Sequence, residues 1–471
     1  MAPHGKNIVV VGFGSIGQGI VPLLRHHFLD RAIMVVEQSF GPHQAEALRE
    51  FGLQSIEQRL TRENYLEILS PLIGAGDFLL NLAVAVSSRD LIQLAQARGA
   101  FYLDSSIEPW EYEHSQTGIC TSNYGLREQM RAMRAGTRGK PTAIVAHGAN
   151  PGFVSILVKQ ALIEMAARAK RDRPAAQSQE AWAALAHDLD VRVIQVSERD
   201  TQRGVVQRSP GEFVSTWSVD GFVTECLQPA ELGWGTHEAN LPHGGRRHTY
   251  GCQAAISIDR PGYTMKVRSW SPNHLDFEGF LITHNEAISI ADYLTRRDGE
   301  RVIYRPTCYY AYHPCDAAVE SFALLRGGDD SHVTSKRILM DEIQTGIDEL
   351  GVFLISGRYE SLWLGSNLSI AKARKMAPRN NATSLQVASS IAAAMAWMLQ
   401  HPAEGVVESE DLDHEFIYQF AHDYWSPLVR QFVDWRPRPA GTSLRLEDFL
   451  VEPAAGHDEP SLCRDVPPAG L

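Results

Sequence analysis

The segment Ile8-Val9-Val10-Val11-Gly12-Phe13-Gly14-Ser15-Ile16-Gly17 decides the fold of the first third of the chain. Its β-branched apolar half is typical of a buried parallel strand, and its small residues lead into spacing that predicts a helix over 16–28. This β-α-β order continues and predicts an α/β fold with a Rossmann-type doubly wound parallel sheet. The other strands predicted for this sheet lie over 32–37, 77–82, 101–104 and 143–147.

The glycines of this segment have separate tasks in a dinucleotide-binding loop. Gly12 permits the tight turn, Gly14 lets a pyrophosphate approach the backbone, and Gly17 lets the helix lie close to the sheet. The phosphates would then meet free N–H groups at the positive end of the helix, where Ser15 and Ile16 lie. The sequence therefore predicts cofactor contacts from all five residues.

The second predicted strand ends in Glu37, 20 residues after Gly17. A carboxylate at this place can accept hydrogen bonds from the adenosine ribose hydroxyls and repels a 2′-phosphate. Glu37 therefore favours NAD over NADP. The alternative is a glycine turn beside an unrelated surface glutamate.

Polar side chains follow the later strands, at the edge of the sheet where ligands bind in such folds. Ala83 and Asp104 follow or end two of these strands and are predicted to lie near the cofactor. Glu108 is a candidate for substrate binding, with a purely structural loop as the alternative. Asn150 and Pro151 are predicted to contact the cofactor, and Asn150 could also cap the next helix.

The composition of the chain argues against several classes of function. The 471 residues carry 44 Lys and Arg against 56 Asp and Glu, a net charge of −12, which argues against a broad nucleic-acid-binding surface. The six cysteines are scattered without a Cys-x-x-Cys pair, so we expect reduced thiols and no metal site. The longest apolar stretch is about half a membrane span, and the chain begins without an apolar signal core. We therefore expect a soluble, cytoplasmic protein.

The middle of the chain has a different pattern. Short β-branched and aromatic runs over 191–197 and 212–219 predict strands of an α+β domain. An Ala-rich run over 383–400 predicts a long helix, and the Pro-rich tail from 453 onward is expected to be loose. The predicted parts are a dinucleotide-binding domain (1–152), an α+β substrate-binding and dimerisation domain (153–380), a helical segment returning to the first domain (381–435) and an extension (436–471).

Longer segments in the middle of the chain are more specific than the glycine loop. They include SERDTQR (197–203), TWSVDGFVTE (216–225) and THNEAISIAD (283–292). With them the chain resembles the bacterial homospermidine synthases, of the saccharopine dehydrogenase-like superfamily, over nearly its whole length. The other matching segments are 12–17, 108–110, 148–152, 227–236, 268–270, 304–315, 347–351 and 381–383.

This resemblance implies that two putrescine molecules give homospermidine and ammonia. One putrescine would be oxidised to an imine and hydrolysed to an aminoaldehyde, a second would condense with it to a Schiff base, and retained NADH would reduce that Schiff base. NAD would then act like a prosthetic group. The resemblance also implies a homodimer, and neither nucleic acid nor a membrane is expected as a partner.

The residues of the middle segments suit such a substrate. A flexible dication needs carboxylates at its ammonium groups and an aromatic face for a desolvated cation, and Glu198, Trp217 and Glu225 have these chemical types. A single strand over 217–225 would put its first and last side chains on one face, although Gly221 argues against an unbroken strand. The resemblance implies that the two glutamates bind amino groups and that Trp217 stacks on a cationic intermediate.

His284 is the leading candidate for proton transfer, because histidine titrates near neutral pH. A hydrogen-bonded structural histidine is the alternative. The resemblance places His284 near the substrate and makes Asn150 a neighbour of both cofactor and substrate. One departure concerns Ala85, where relatives tend to carry an acid, so the role of that acid is absent here or passes to Glu108 or another residue.

Other functions remain open at this point. A saccharopine-reductase-like enzyme would form a secondary amine from an amino acid and an aldehyde with free NAD(P)H, and Arg199, Arg203 or Arg268 could bind its substrate carboxylate. A non-enzymatic NAD-binding sensor would bind the cofactor and turn over no amine. A structural scaffold is disfavoured by the polar and aromatic residues that cluster in Gly-rich loops.

Overall fold

The computed structural model describes residues 6–112, 121–172, 178–438 and 443–451. Its helices are α1 (Ser15–His27), α2 (Pro42–Phe51), α3 (Tyr65–Leu69), α4 (Ser88–Arg98), α5 (Asn123–Thr137), α6 (Phe153–Arg168), α7 (Gln179–Asp188), α8 (Val219–Leu227), α9 (Asn285–Tyr293), α10 (Asp316–Ser321), α11 (Ile370–Met376), α12 (Ala382–Gln400), α13 (His414–Trp425) and α14 (Leu446–Phe449).

The strands of the first half are β1 (Lys6–Val11), β2 (Arg31–Glu37), β3 (Gln54–Glu57), β4 (Phe78–Asn81), β5 (Phe101–Asp104), β6 (Ala143–Ile144), β7 (Val191–Asp200), β8 (Arg203–Gly204), β9 (Glu212–Ser215), β10 (Pro229–Gly233), β11 (Gly245–Arg247) and β12 (Ala255–Pro261). Those of the second half are β13 (Lys266–Ser271), β14 (Leu275–Phe280), β15 (Arg296–Asp298), β16 (Arg301–Tyr304), β17 (Thr307–His313), β18 (Ser335–Ile338), β19 (Ile343–Thr345), β20 (Ile347–Ser356), β21 (Ser361–Ser369), β22 (Val406–Val407), β23 (Leu428–Val433) and β24 (Leu450–Val451).

The first sheet is parallel and confirms the predicted fold class. Its strand order is β22-β6-β5-β4-β1-β2-β3, which contains the order 3-2-1-4-5-6 of dinucleotide-binding folds. Alternate residues of β1 enter two different cores, with Ile8 and Val10 on one face and Val9 and Val11 on the other. This burial on both faces explains why β1 consists almost wholly of apolar residues.

The second sheet is mixed and confirms the predicted α+β region. Its main path runs β11-β12-β10-β17-β7-β20-β21-β23, and β7 pairs in parallel with β17 and antiparallel with β20. Ile194 and Val196 of β7 pack in the core shared with the first sheet. Because strand side chains alternate with period two, Glu198 and Asp200 continue that same face. Two carboxylates therefore project toward the first sheet.

The chain returns to the first sheet near its C-terminus. Helix α12 packs against α1 and α13, and β22 pairs in parallel with β6. Helix α12 is long and apolar enough to cross a membrane, but 83% of its most apolar window is buried inside the protein, which makes it weak support for a span. The bounds of the four predicted parts stay a prediction.

Two local predictions are wrong. The strand expected over 212–219 ends at Ser215, and Ser218 caps α8 by accepting a hydrogen bond from the Gly221 amide. Asn150 does not cap a helix, because α6 begins at Phe153 after a turn that Gly152 makes at φ +133°. The expectation of a loose tail from 453 onward lies outside the described residues.

Candidate active site

The glycine loop after β1 has the form that a dinucleotide needs. Gly12 has φ +91°, and a Cβ on Gly17 would lie 2.3 Å from the Gly12 carbonyl oxygen. A Cβ on Gly14 would meet no atom within 4 Å, so this glycine faces open space. Helix α1 starts at Ser15 with no side-chain cap, which leaves its first amides, including that of Ile16, available for a phosphate. These features fit a bound pyrophosphate.

Glu37 lies at the end of β2 beside this loop. Its carboxylate accepts hydrogen bonds from the backbone amides of Phe13 at 2.6 Å and Gln38 at 2.7 Å. The side chain thus connects the second strand to the glycine loop and is only partly buried. This is the place from which a carboxylate can reach a ribose, as the sequence predicts.

Ala83 and Asp104 lie at the same edge of the sheet. A Cβ on Gly12 would lie 2.7 Å from the Ala83 amide nitrogen, so Ala83 borders the glycine loop. Asp104 is fully buried and accepts hydrogen bonds from Tyr102 Oη at 2.7 Å and the Ala146 amide at 2.6 Å. Burial raises the pKa of Asp104 to about 7. The bond from the Ala146 amide links β5 to the residues that follow β6. The contact of Asp104 with the cofactor stays a prediction.

The loop over 148–152 connects the two sheets. The Gly148 amide donates to the Pro151 carbonyl at 2.7 Å, and a Cβ on Gly152 would lie 2.0 Å from the Gly148 carbonyl oxygen. In this tight loop Asn150 Nδ2 lies 3.3 Å from Glu198 Oε2. Asn150 therefore lies between the cofactor-binding sheet and the carboxylates of β7. This is the place expected for a residue that contacts both the cofactor and the substrate.

We call the group of Glu108, Glu198, Trp217, Glu225 and His284 the acidic–aromatic cluster. His284 Nε2 lies 3.1 Å from Glu225 Oε2, and the His284 ring lies 4.3 Å from the Tyr310 ring between centroids. Tyr310 in turn donates its hydroxyl to Glu198 Oε2 at 2.5 Å. These contacts join α8, β7 and β17 at one place.

Trp217 enters this cluster from a loop rather than from a strand. Its indole Nε1 lies 3.4 Å from Tyr312 Oη, and the rings of Tyr312 and Tyr310 stack 4.9 Å apart. Because α8 begins at Val219, the idea that Trp217 and Glu225 share a strand face is wrong. Glu225 reaches the cluster from α8 and Trp217 from the loop just before it.

Glu108 joins the cluster from the first sheet. It accepts hydrogen bonds from Ser106 Oγ at 2.8 Å, Tyr112 Oη at 2.8 Å and the Ala85 amide at 2.9 Å. Burial raises the pKa of Glu108, and the nearby charge of Glu225 raises it further. The two glutamates therefore act on each other across the boundary between the sheets. Through its bond to the Ala85 amide, Glu108 also occupies the neighbourhood of Ala85.

Sequence reasoning missed two further acids beside Glu198. Burial raises the pKa of Glu198 to about 7 and that of Asp200 to about 6, and it raises the pKa of Asp348 on β20 above its ordinary value. Asp200 accepts from Thr216 Oγ1 at 2.7 Å, and Asp348 accepts from Thr383 Oγ1 at 2.5 Å. The period-two alternation of β7 could have indicated Asp200. The pairing of Asp348 with Asp200 across strands had no sequence signal.

The chain is similar to known proteins over nearly its whole length. The family models named "Saccharopine dehydrogenase NADP binding domain" and "Saccharopine dehydrogenase C-terminal domain" match residues 8–144 and 148–429. The homospermidine synthase of Blastochloris viridis is 45% identical over 94% of each chain. That of Mesorhizobium japonicum is 40% identical over 94% of this chain and 93% of its own. This chain belongs to the homospermidine synthase family.

A solved structure of the family agrees in fold. The homospermidine synthase of Legionella pneumophila, solved in complex with NAD, superposes with a TM-score of 0.88 at 36% identity, covering 95% of this chain and 98% of its own. The likeness spans both sheets, so the Rossmann-type domain and the second domain are both family features. The predicted resemblance is confirmed.

The arginines that an amino-acid substrate would need lie elsewhere. Arg199 points away from Glu198 on its strand and lies 3.3 Å from Asp316, while Arg203 and Arg268 are exposed. Within the described ranges, the side chains that hydrogen-bond to Glu108, Glu198 and Glu225 are hydroxyl, amide, imidazole and carboxyl groups, the last being that of Asp348 beside Glu198, and none is an arginine or lysine. The cluster thus suits a cationic substrate better than a carboxylate.

Proposed function

We propose that this protein is a homospermidine synthase that joins two putrescine molecules and releases ammonia. The observation that carries the proposal is the acidic–aromatic cluster, in which three buried or half-buried glutamates lie among aromatic rings. Glu108 bonds to the Ala85 amide, two residues from the Ala83 amide that borders the dinucleotide loop. A dicationic chain gains attraction at both ends in such a place, because the low-dielectric surroundings strengthen each ion pair. The homodimer and the cytoplasmic location stay predictions.

NAD is the cofactor that we propose for the glycine loop. Gly14 offers space for the pyrophosphate, Gly12 and Gly17 shape the turn, and Glu37 reaches toward the ribose. When bound, NAD supplies a hydride acceptor for the first half-reaction and a donor for the second. Its retention between the two half-reactions stays a prediction.

The side chains of the cluster would orient and stabilise the substrate. Glu108 and Glu225 would hold the ammonium group at one end of the chain, and Glu198 with Asn150 would hold the end that reacts beside the cofactor. Trp217 would cover the cationic imine with its ring face. Because the imine charge develops during reaction, carboxylates already fixed around it lower the barrier.

Product formation tests this proposal. Purified protein with putrescine and catalytic NAD⁺ should yield homospermidine and ammonia without a net rise of NADH, measured by mass spectrometry and absorbance. Stoichiometric NADH would instead indicate a simple amine dehydrogenase. Bound NAD without any amine turnover would indicate a sensor.

Trp217 provides a second test of the same site. We expect Trp217→Ala to lower kcat/KM for putrescine by roughly 2- to 30-fold, the range of a cation–π contact. Trp217→Phe should keep most of the activity, since the ring face remains while the bond to Tyr312 is lost. Equal activity of the Ala variant and the wild type would contradict the stacking role.

A further inference from the structure

Both ring nitrogens of His284 face a carboxylate. Nε2 lies 3.1 Å from Glu225 Oε2, and Nδ1 lies 3.1 Å from Glu286 Oε1. Glu286 is fully buried at the start of α9, and the His284 side chain is only 6% exposed. A neutral imidazole has one N–H donor and one lone pair, and a lone pair facing a carboxylate oxygen is repelled. Two ionised carboxylate neighbours therefore require two N–H donors.

We infer that Glu286 is a positioning residue that keeps His284 as a permanent imidazolium, so that the proton acceptor of the proposed reaction is Glu198 rather than His284. Only the role of Glu198 as proton acceptor rests on the proposed function. The charge of His284 is a property of the folded chain and does not depend on which substrate the protein converts. It changes the role expected for His284, which the sequence made the leading candidate for proton transfer.

The groups around His284 support a fixed positive charge. The charged residues that face it are Glu225 from α8, Glu286 from α9 and Glu198 from β7, and Tyr310 adds an uncharged ring from β17. Burial alone would lower the pKa of His284, but Glu286 and Glu225 together outweigh it and raise the pKa well above its ordinary value. An imidazolium here orients Glu225 and cannot accept another proton.

Glu198 has the properties of a proton acceptor. The amine that loses a hydride must first be neutral, so the substrate ammonium gives one proton to a base and becomes a free amine. The Glu198 carboxylate can take that proton and become a neutral carboxyl group. Tyr310 and Asn150 hold this carboxylate in place, and Asp200 of β7 and Asp348 of β20 are the acids that face it. Its pKa of about 7, raised by burial, suits exchange near neutral pH.

The charge of His284 can be measured directly. In protein carrying ¹³Cε1-histidine, the signal of His284 is assigned by its absence in His284→Gln and is followed from pH 6 to 9. The wild type should keep imidazolium shifts over this whole range. A neutral ring in the wild type, with the proton on Glu225 instead, would overturn the inference, and this measurement needs no folded Glu286 variant.

Glu286→Gln should make His284 titrate within the same range. Its kcat should then fall by about tenfold per pH unit above the new midpoint, because the imidazolium is lost as pH rises through that pKa. The matched control is Glu410→Gln, which removes another buried glutamate bonded to α9, through Ser289 Oγ at 2.6 Å. The control should leave the His284 signal unchanged.

The pH profile tests Glu198. In the wild type, kcat/KM should rise with pH through about 7, where Glu198 loses its proton. Glu198→Gln should remove this rise together with most of the activity, while the His284 signal stays that of an imidazolium. A rise that persists in Glu198→Gln would assign the base elsewhere. An imidazolium signal in a protein that forms no homospermidine would refute the proposed function and leave the charge assignment standing.

Discussion

Glu225→Gln is expected to lower kcat for homospermidine formation by about 100-fold or more, a larger effect on turnover than on folding. The amide has almost the same shape as the carboxylate, so the end of α8 keeps its packing. It cannot stabilise a developing positive charge, however, and it places an uncharged group against the His284 imidazolium. Initial rates with putrescine and catalytic NAD⁺, measured beside thermal unfolding, check this result.

The control for Glu225 lies on the same helix. Asp220 of α8 is exposed and pairs with Lys336 at 2.6 Å, away from the cluster. Asp220→Asn should leave kcat unchanged, because an exposed ion pair contributes little even to stability. A Glu225→Gln protein as active as this control would remove Glu225 from the proposed site.

Gly17→Ala is expected to destabilise the protein by about 3 kcal/mol, near the upper end for overpacking. The new Cβ would lie 2.3 Å from the Gly12 carbonyl oxygen, and a backbone atom in a tight turn cannot move aside as a flexible side chain can. Helix α1 would have to shift away from β1. Denaturant unfolding without added NAD⁺ measures the loss.

Gly14→Ala, in contrast to Gly17→Ala, should weaken NAD⁺ binding without destabilising the protein. Its Cβ meets no protein atom within 4 Å, so the stability without NAD⁺ should stay close to that of the wild type. Affinity for NAD⁺ should fall, since the methyl group enters the space proposed for the pyrophosphate. Unchanged NAD⁺ affinity in Gly14→Ala would mean that the dinucleotide binds elsewhere.

Local sequence was a good guide wherever one element determined the geometry. The run Val9-Val10-Val11 before Gly12 predicted β1, and Gly17 predicted the close approach of α1, because burial and glycine sterics act over a few residues. The same reasoning failed at 217–225. The β-branched and aromatic residues there suggested a strand, but the Ser218 cap and the burial of Phe222 against Phe213 favour a helix.

Charge states were the least predictable property of the site. His284 looked like a proton acceptor because an isolated imidazole titrates near neutral pH. Its neighbour Glu286 was visible two positions along the chain, whereas Glu225 is 59 positions away and meets the ring only after α8 and α9 have packed. A pKa depends on desolvation and on every nearby charge, so no local pattern can supply it.

The amino-acid sequence by itself determined the dinucleotide loop, the parallel sheet around it and the kinds of side chain available for a cationic substrate. These follow from contiguous residues, since strand burial, glycine turns and helix starts are decided within about ten positions. Only the tertiary structure decided that Glu108, Glu198, Glu225 and His284 meet, because they come from the loop after β5, from β7, from α8 and from the start of α9. Their charges were decided at the same time, when burial removed water and left these groups to set one another's protonation.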